Sequence, residues 1–178
     1  MIAAKNGAVK MRAFRAILAL ALVAGLAACG DRPESKFRTY DGPEVTQLLV
    51  KKAERKLYLL NDATALKVYD IALGPEPAGH KRFEGDMRTP EGLYRIDRRN
   101  PQSAFHLSIG ISYPNEEDRA YASTKGKSPG GDIFIHGQAG RNVGRPWDWT
   151  EGCIAVTDEE IEEIYAMVEN GTPILILP

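Results

Sequence analysis

The chain has 178 residues, 43% of them hydrophobic and 26% charged, with a formal net charge of -1 at neutral pH. That length supports one domain with a sizeable core, and the absence of a basic excess argues against a nucleic-acid partner. Two cysteines, Cys29 and Cys153, stand in unlike surroundings, which argues against a disulfide or a structural zinc site.

Lys10, Arg12 and Arg15 give a positive start, and the apolar run Ala16 to Ala28 is too short to span a bilayer comfortably. Small residues then lead to a cysteine in Leu26-Ala27-Ala28-Cys29, the pattern of an export signal, with Met1 or Met11 as the start of translation. The site resembles the lipobox of bacterial lipoproteins, which implies acylation of Cys29 and a lipid-anchored domain on the periplasmic face of the cell envelope. Residues 1–29 are therefore read as the signal and 30–44 as a Gly-, Pro- and charge-rich tether. Residues 45–178 are read as the folded domain.

Strands are expected at Thr46–Val50, Lys56–Leu60 and Lys67–Leu73, with Asn61-Asp62 supplying turn chemistry between the last two. Gly92–Asp97, Phe105–Ile111, Asp132–His136, Cys153–Val156 and Ile174–Leu177 complete the strand set. One helix stands out. Thr157 and Glu160 form a capping box, Ile161, Ile164, Tyr165 and Val168 share a face, and Asn170-Gly171 followed by Pro173 ends it. The fold class is thus β-rich α+β, with one main helix near the C-terminus.

Asp132 to His136 delivers a histidine at a strand end, with Gly137 turning the chain. Thr150-Glu151-Gly152-Cys153 delivers a cysteine at the start of another strand. If the two strand ends meet, the imidazole comes within hydrogen-bond reach of the thiol. A free thiol has a pKa of about 8.5, so it needs a base to become a nucleophile at neutral pH. The imidazolium could then protonate a leaving amine, and backbone N–H groups around Gly152 and Cys153 could hold an oxyanion. Arg88 and Arg141 are candidate carboxylate forks, and Trp147 and Trp149 are candidate walls. His106 reads as structural and His80 as solvated.

His136-Gly137, a glycine-containing loop and Thr150-Glu151-Gly152-Cys153-Ile154 together resemble the signature of the L,D-transpeptidase catalytic domain family (YkuD-like). Thr89-Pro90-Glu91-Gly92-Leu93-Tyr94-Arg95-Ile96 and the loop Gly79 to Asp86 agree with it. Phe105 to Ile109 with Tyr113-Pro114-Asn115, and Ala155-Val156-Thr157-Asp158, resemble the YafK-type murein branch. The resemblance implies a mixed β-sandwich in which Cys153 is the nucleophile and His136 the base, oriented by the carbonyl of Gly137. Thr150, Glu151 and Gly152 would contact substrate. It implies acyl transfer on peptidoglycan stem peptides in cell-wall biogenesis and cell shape, without a cofactor, and an envelope lipoprotein as a candidate acceptor or substrate. Hydrolysis of the same acyl-enzyme, or non-catalytic peptidoglycan binding, are the alternatives. The family often carries a histidine where this chain has Glu151, which bears on substrate contacts and on the acceptor.

Overall fold

Alternation of apolar and polar residues builds the first hairpin in this computed structural model, which describes residues 35–141 and 148–178. In β1 (Gln47–Lys51) Leu48 and Val50 point inward, and in β2 (Lys56–Asn61) Leu57 and Leu59 do the same. Asp62, at φ 51°, begins a two-residue turn, so β3 (Thr64–Asp70) starts earlier than its apolar residues suggest. The other strands are β4 (Gly92–Asn100), β5 (Ser108–Ile111), β6 (Phe134–His136), β7 (Ile154–Ala155) and β8 (Pro173–Leu177). Three of them, β5, β6 and β7, are shorter than expected. His106 at φ 76° breaks the stretch before β5, and Asp132 at φ 53° breaks the stretch before β6.

The sheet order is β3-β2-β1-β8-β4-β5-β6-β7. The β1–β8 and β6–β7 pairs are parallel and the others antiparallel. Residues 92–95 of β4 pair with β8, whereas its residues from Ile96 onward pair with β5 across a bulge. β4 thereby passes from one layer to the other and curls the sheet over an apolar core. Ala72 and Ala155 exchange both backbone hydrogen bonds at 2.9 Å, so the chain after β3 meets β7 and joins the two ends of the strand order. This is the expected β-rich α+β class, with a mixed sheet folded on itself.

Among the described residues two helices flank the sheet. The expected one, α2 (Asp158–Met167), carries the Thr157/Glu160 capping box and buries Ile161, Ile164 and Met167. The other, α1 (Glu116–Thr124), is opened by a second capping box between Asn115 and Asp118. Among the described residues no helix is long and apolar enough to cross a membrane. Residues 36–44, the end of the expected tether, form no strand or helix. They still touch the domain: Lys36 Nζ donates to the carbonyls of Pro101 and His106, and Arg38 pairs with Glu162. The expected signal and Cys29 lie outside the described residues.

Candidate active site

The register of β6 and β7 brings the two predicted reactive residues to one face. Ile135 pairs with Ile154 and His136 with Ala155 in a parallel ladder. Side chains alternate along each strand, so Cys153, two residues before Ala155, shares a face with His136 and Phe134. Cys153 and His136 both line a cavity of about 950 Å³, together with Thr150, Glu151, Trp149 and Lys81.

His136 is 4% exposed and ends β6. Its Nδ1 lies 2.6 Å from the carbonyl oxygen of Gly137. A carbonyl can only accept, so Nδ1 carries the proton and Nε2 keeps its lone pair. The ring is clamped between Phe105, stacked at 4.5 Å between centroids, and Trp149, edge-on at 5.6 Å. Burial pushes the imidazole pKa down against the raising effect of the Gly137 carbonyl, so the ring is a neutral base. Gly137 has no room for a side chain, because a Cβ would stand 2.5 Å from Asp158 Oδ1 and 2.9 Å from the carbonyl oxygen of Phe105. The Asp158 carboxylate also accepts from the N–H groups of Gln138, Ala139 and Gly140, at 2.6, 2.8 and 3.2 Å. It fixes the turn that carries the Gly137 carbonyl.

Cys153 is a free, half-buried thiol. Its Sγ accepts from the Phe134 N–H at 3.4 Å and faces the Asp132 carbonyl at 3.5 Å. These backbone groups are its hydrogen-bond partners; among the described residues no hydrogen bond joins the thiol to the imidazole. Burial pushes the thiol pKa up. The Phe134 N–H and the charge of Lys81 oppose that shift, while Asp132 and Glu151 add to it. Before Cys153, Gly152 sits at φ 120°, and a Cβ there would meet the Arg88 carbonyl oxygen at 2.5 Å. The Gly152 N–H donates to Thr150 Oγ1 at 3.3 Å, and Thr150 Oγ1 donates to the Cys153 carbonyl at 2.7 Å. Of the two N–H groups expected to hold an oxyanion, only that of Cys153 has no acceptor among the described residues.

The remaining predicted residues are distributed differently. Glu151 is exposed in the cavity wall. Arg88 is not among the cavity-lining residues; its backbone packs on Gly152 and its guanidinium lies beside Gly79. Arg141 is exposed, with its guanidinium 5.4 Å from the centre of the Phe105 ring. Trp147 lies outside the described residues. His80, expected to be solvated, is instead half-buried between the Glu91 N–H and Asp118 Oδ1, each at 2.8 Å. His106 bonds Glu162 at 2.8 Å, in keeping with a structural role. Sequence reasoning missed Lys81, Phe105 and Asp158. Asp158 left a signal as an acid just after the helix cap, and Lys81 and Phe105 lie in segments that carry the family resemblance without being singled out within them. Among the described residues no three His, Cys, Asp or Glu side chains converge as a metal site.

Comparison with known proteins gives a consistent picture. The family model of the L,D-transpeptidase catalytic domain (YkuD) matches residues 46–176. YafK of Escherichia coli (strain K12), itself an L,D-transpeptidase by provisional assignment, is 32% identical over 126 residues. That alignment covers 70% of this chain and 43% of YafK, so the chain spans less than half of that relative. The crystal structure of the helical cell shape determining protein Pgp2 from Campylobacter jejuni is similar at 25% identity and a TM-score of 0.57, covering 85% of this chain and 53% of that one. An L,D-transpeptidase from Mycobacterium smegmatis shares the fold at 15% identity and a TM-score of 0.51, over 75% of this chain and 59% of its own.

Proposed function

This chain belongs to the L,D-transpeptidase catalytic domain family, and from that premise we propose that it transfers acyl groups between peptidoglycan stem peptides through a thioester on Cys153. The observation that carries the reading is the His136 tautomer. Its Nδ1–H is committed to the Gly137 carbonyl, leaving a lone pair on Nε2 in the cavity that Cys153 lines.

In this mechanism substrate binding brings Nε2 and Sγ together. Nε2 takes the thiol proton, and the thiolate attacks the scissile carbonyl to form a C–S bond. The Cys153 N–H stabilises the resulting oxyanion. Collapse breaks the C–N bond, and Nε2–H gives its proton to the departing amine. An acceptor amine then attacks the thioester, loses its proton to Nε2, and restores the thiol. The proposal includes export and lipid attachment at Cys29, which would hold the domain on the periplasmic face of the envelope beside its substrate.

Hydrolysis is the second reading, favoured by the size of the cavity: at about 950 Å³ it leaves room for water beside a bound acyl chain. Mass spectrometry of the purified protein with defined muropeptides, with and without an acceptor amine, tests both. A Cys153-dependent acyl adduct and incorporation of acceptor are expected. Product release without incorporation would select the hydrolase, and no adduct at Cys153 would sink both readings.

A further inference from the structure

Two lysines of this domain are almost fully buried in the described structure, and they differ in one respect. Lys52, 2% exposed, donates to the carbonyls of Gly79 and Thr89 and to Glu91 Oε1, at 2.6, 3.1 and 2.8 Å. Its three donors are all engaged, and it ties the loop 79–91 to the end of β1. Lys81, 3% exposed, lies in that loop and in the wall of the reactive cavity. Its Nζ donates to the Phe83 carbonyl at 3.0 Å and to Asp86 Oδ1 at 2.9 Å. Among the described residues one of its three N–H groups has no acceptor.

Asp86 does not fully answer that ammonium. It also accepts from the N–H groups of Arg82, Phe83 and Arg88, at 2.7, 3.0 and 3.1 Å. A carboxylate has about four acceptor positions, so Asp86 balances the charge of Lys81 but has no position left for its third N–H. A buried donor without an acceptor is costly unless something entering the cavity completes it. Arg98, the other cation lining the cavity, is already engaged by Asp97 and Asp132 and lies over the Phe134 ring. The Lys81 charge also reaches the nucleophile, where it favours the thiolate.

We propose that Lys81 anchors a carboxylate of the acyl donor close to the carbonyl that Cys153 attacks. The ligand class is a peptide with a free carboxylate near its scissile bond, and the same peptide amidated at that group is rejected. Opposite-charge contact inside a cavity, with a donor already oriented by two fixed bonds, gives that selectivity. Exposed Glu151 on the cavity wall suits an ammonium, so the lining as a whole complements a zwitterion. The inference rests on the acyl-transfer reading of the same cavity.

Two carboxylates of a stem peptide could fill this role: that of the departing residue, or that on the side chain of a diamino acid. The test uses the full chain with Cys153→Ala, which binds without turning over. Calorimetry compares the parent peptide with two versions, each amidated at one of those groups. One amide is expected to bind at least 10-fold more weakly than the parent, and it identifies the carboxylate. Adding Lys81→Met should lower parent affinity to that of the weak amide and leave the amide unchanged, while Lys81→Arg keeps most of the preference. Equal binding of all three peptides, or a loss in Lys81→Met that is the same for parent and amides, overturns the proposal. If Lys81→Met does not fold, the three-peptide comparison and Lys81→Arg still decide. An anchor that discriminates in a protein whose intact Cys153 forms no adduct would leave this inference standing and remove the acyl-transfer reading.

Discussion

The thiol and the imidazole are both held away from charge in the resting site. Burial raises the pKa of Cys153 and lowers that of His136, so the pair rests as neutral thiol and neutral base, with no preformed thiolate–imidazolium. Alkylation of Cys153 by iodoacetamide, followed by intact mass across pH, should rise toward a midpoint above the ordinary thiol value of about 8.5. A plateau of fast reaction near neutral pH would contradict this. The signs for stability follow from linkage. The folded state holds the thiol proton more tightly, so this contribution is whole below the ordinary thiol pKa and is lost as pH climbs through the raised folded value. It binds a proton on His136 less readily, so that contribution is present above the ordinary imidazole pKa and is lost as pH falls through the depressed folded value. The two reactive residues were legible in the sequence because each stands beside a glycine at the edge of an apolar run. Lys81 was not. It is one lysine in a polar loop, and only the ring of donors around Asp86 makes it a buried cation.

Helix α1 was illegible because it buries only Asp118 and Ala122. A helix without an apolar stripe gives no period to find, although the Asn115/Asp118 capping box was present in the letters. Asp118 is buried because Tyr94 Oη donates to it at 2.9 Å and His80 bonds it at 2.8 Å, a polar reason that hydropathy does not register. Helix α2 was legible from both its cap and its stripe. Its role at the site was hidden, since Asp158 reaches back to the turn that follows β6. Asp158→Ala removes three charge-assisted hydrogen bonds and should destabilise the fold by about 2–4 kcal/mol, as read by chemical denaturation. Acylation of Cys153 should slow as the Gly137 carbonyl loses its support, and Asp158→Asn should recover part of both losses. Unchanged acylation in Asp158→Ala would mean that the turn is held by other contacts.

At the largest scale, the unit Lys36–Pro178 is a mixed sheet bent at β4 and closed where Ala72 meets Ala155. Strand alternation made the sheet legible, but the closure involves two small residues whose side chains announce nothing. Backbone pairing of that kind has no letter code. The seam is reinforced by the N–H groups of Trp149 and Thr150, which donate to the Leu73 carbonyl at 2.8 and 2.9 Å, and by Asp148, which accepts from the Leu73 N–H. Ala72→Pro deletes the donor to Ala155 and should cost about 1–3 kcal/mol. Hydrogen exchange should quicken around Cys153 to Val156 while β1 and β8 stay protected. Equal acceleration in all of these strands would show that the seam does not open separately. The parallel register of β6 and β7 also bears on how such a chain can diverge. The offset between Cys153 and His136 is written into a ladder of backbone bonds, whereas Trp149, from the connection between the two strands, contributes a wall. Deletion of Ile154 alone, with the ladder to β6 kept, would turn the Cys153 thiol to the far side of the sheet.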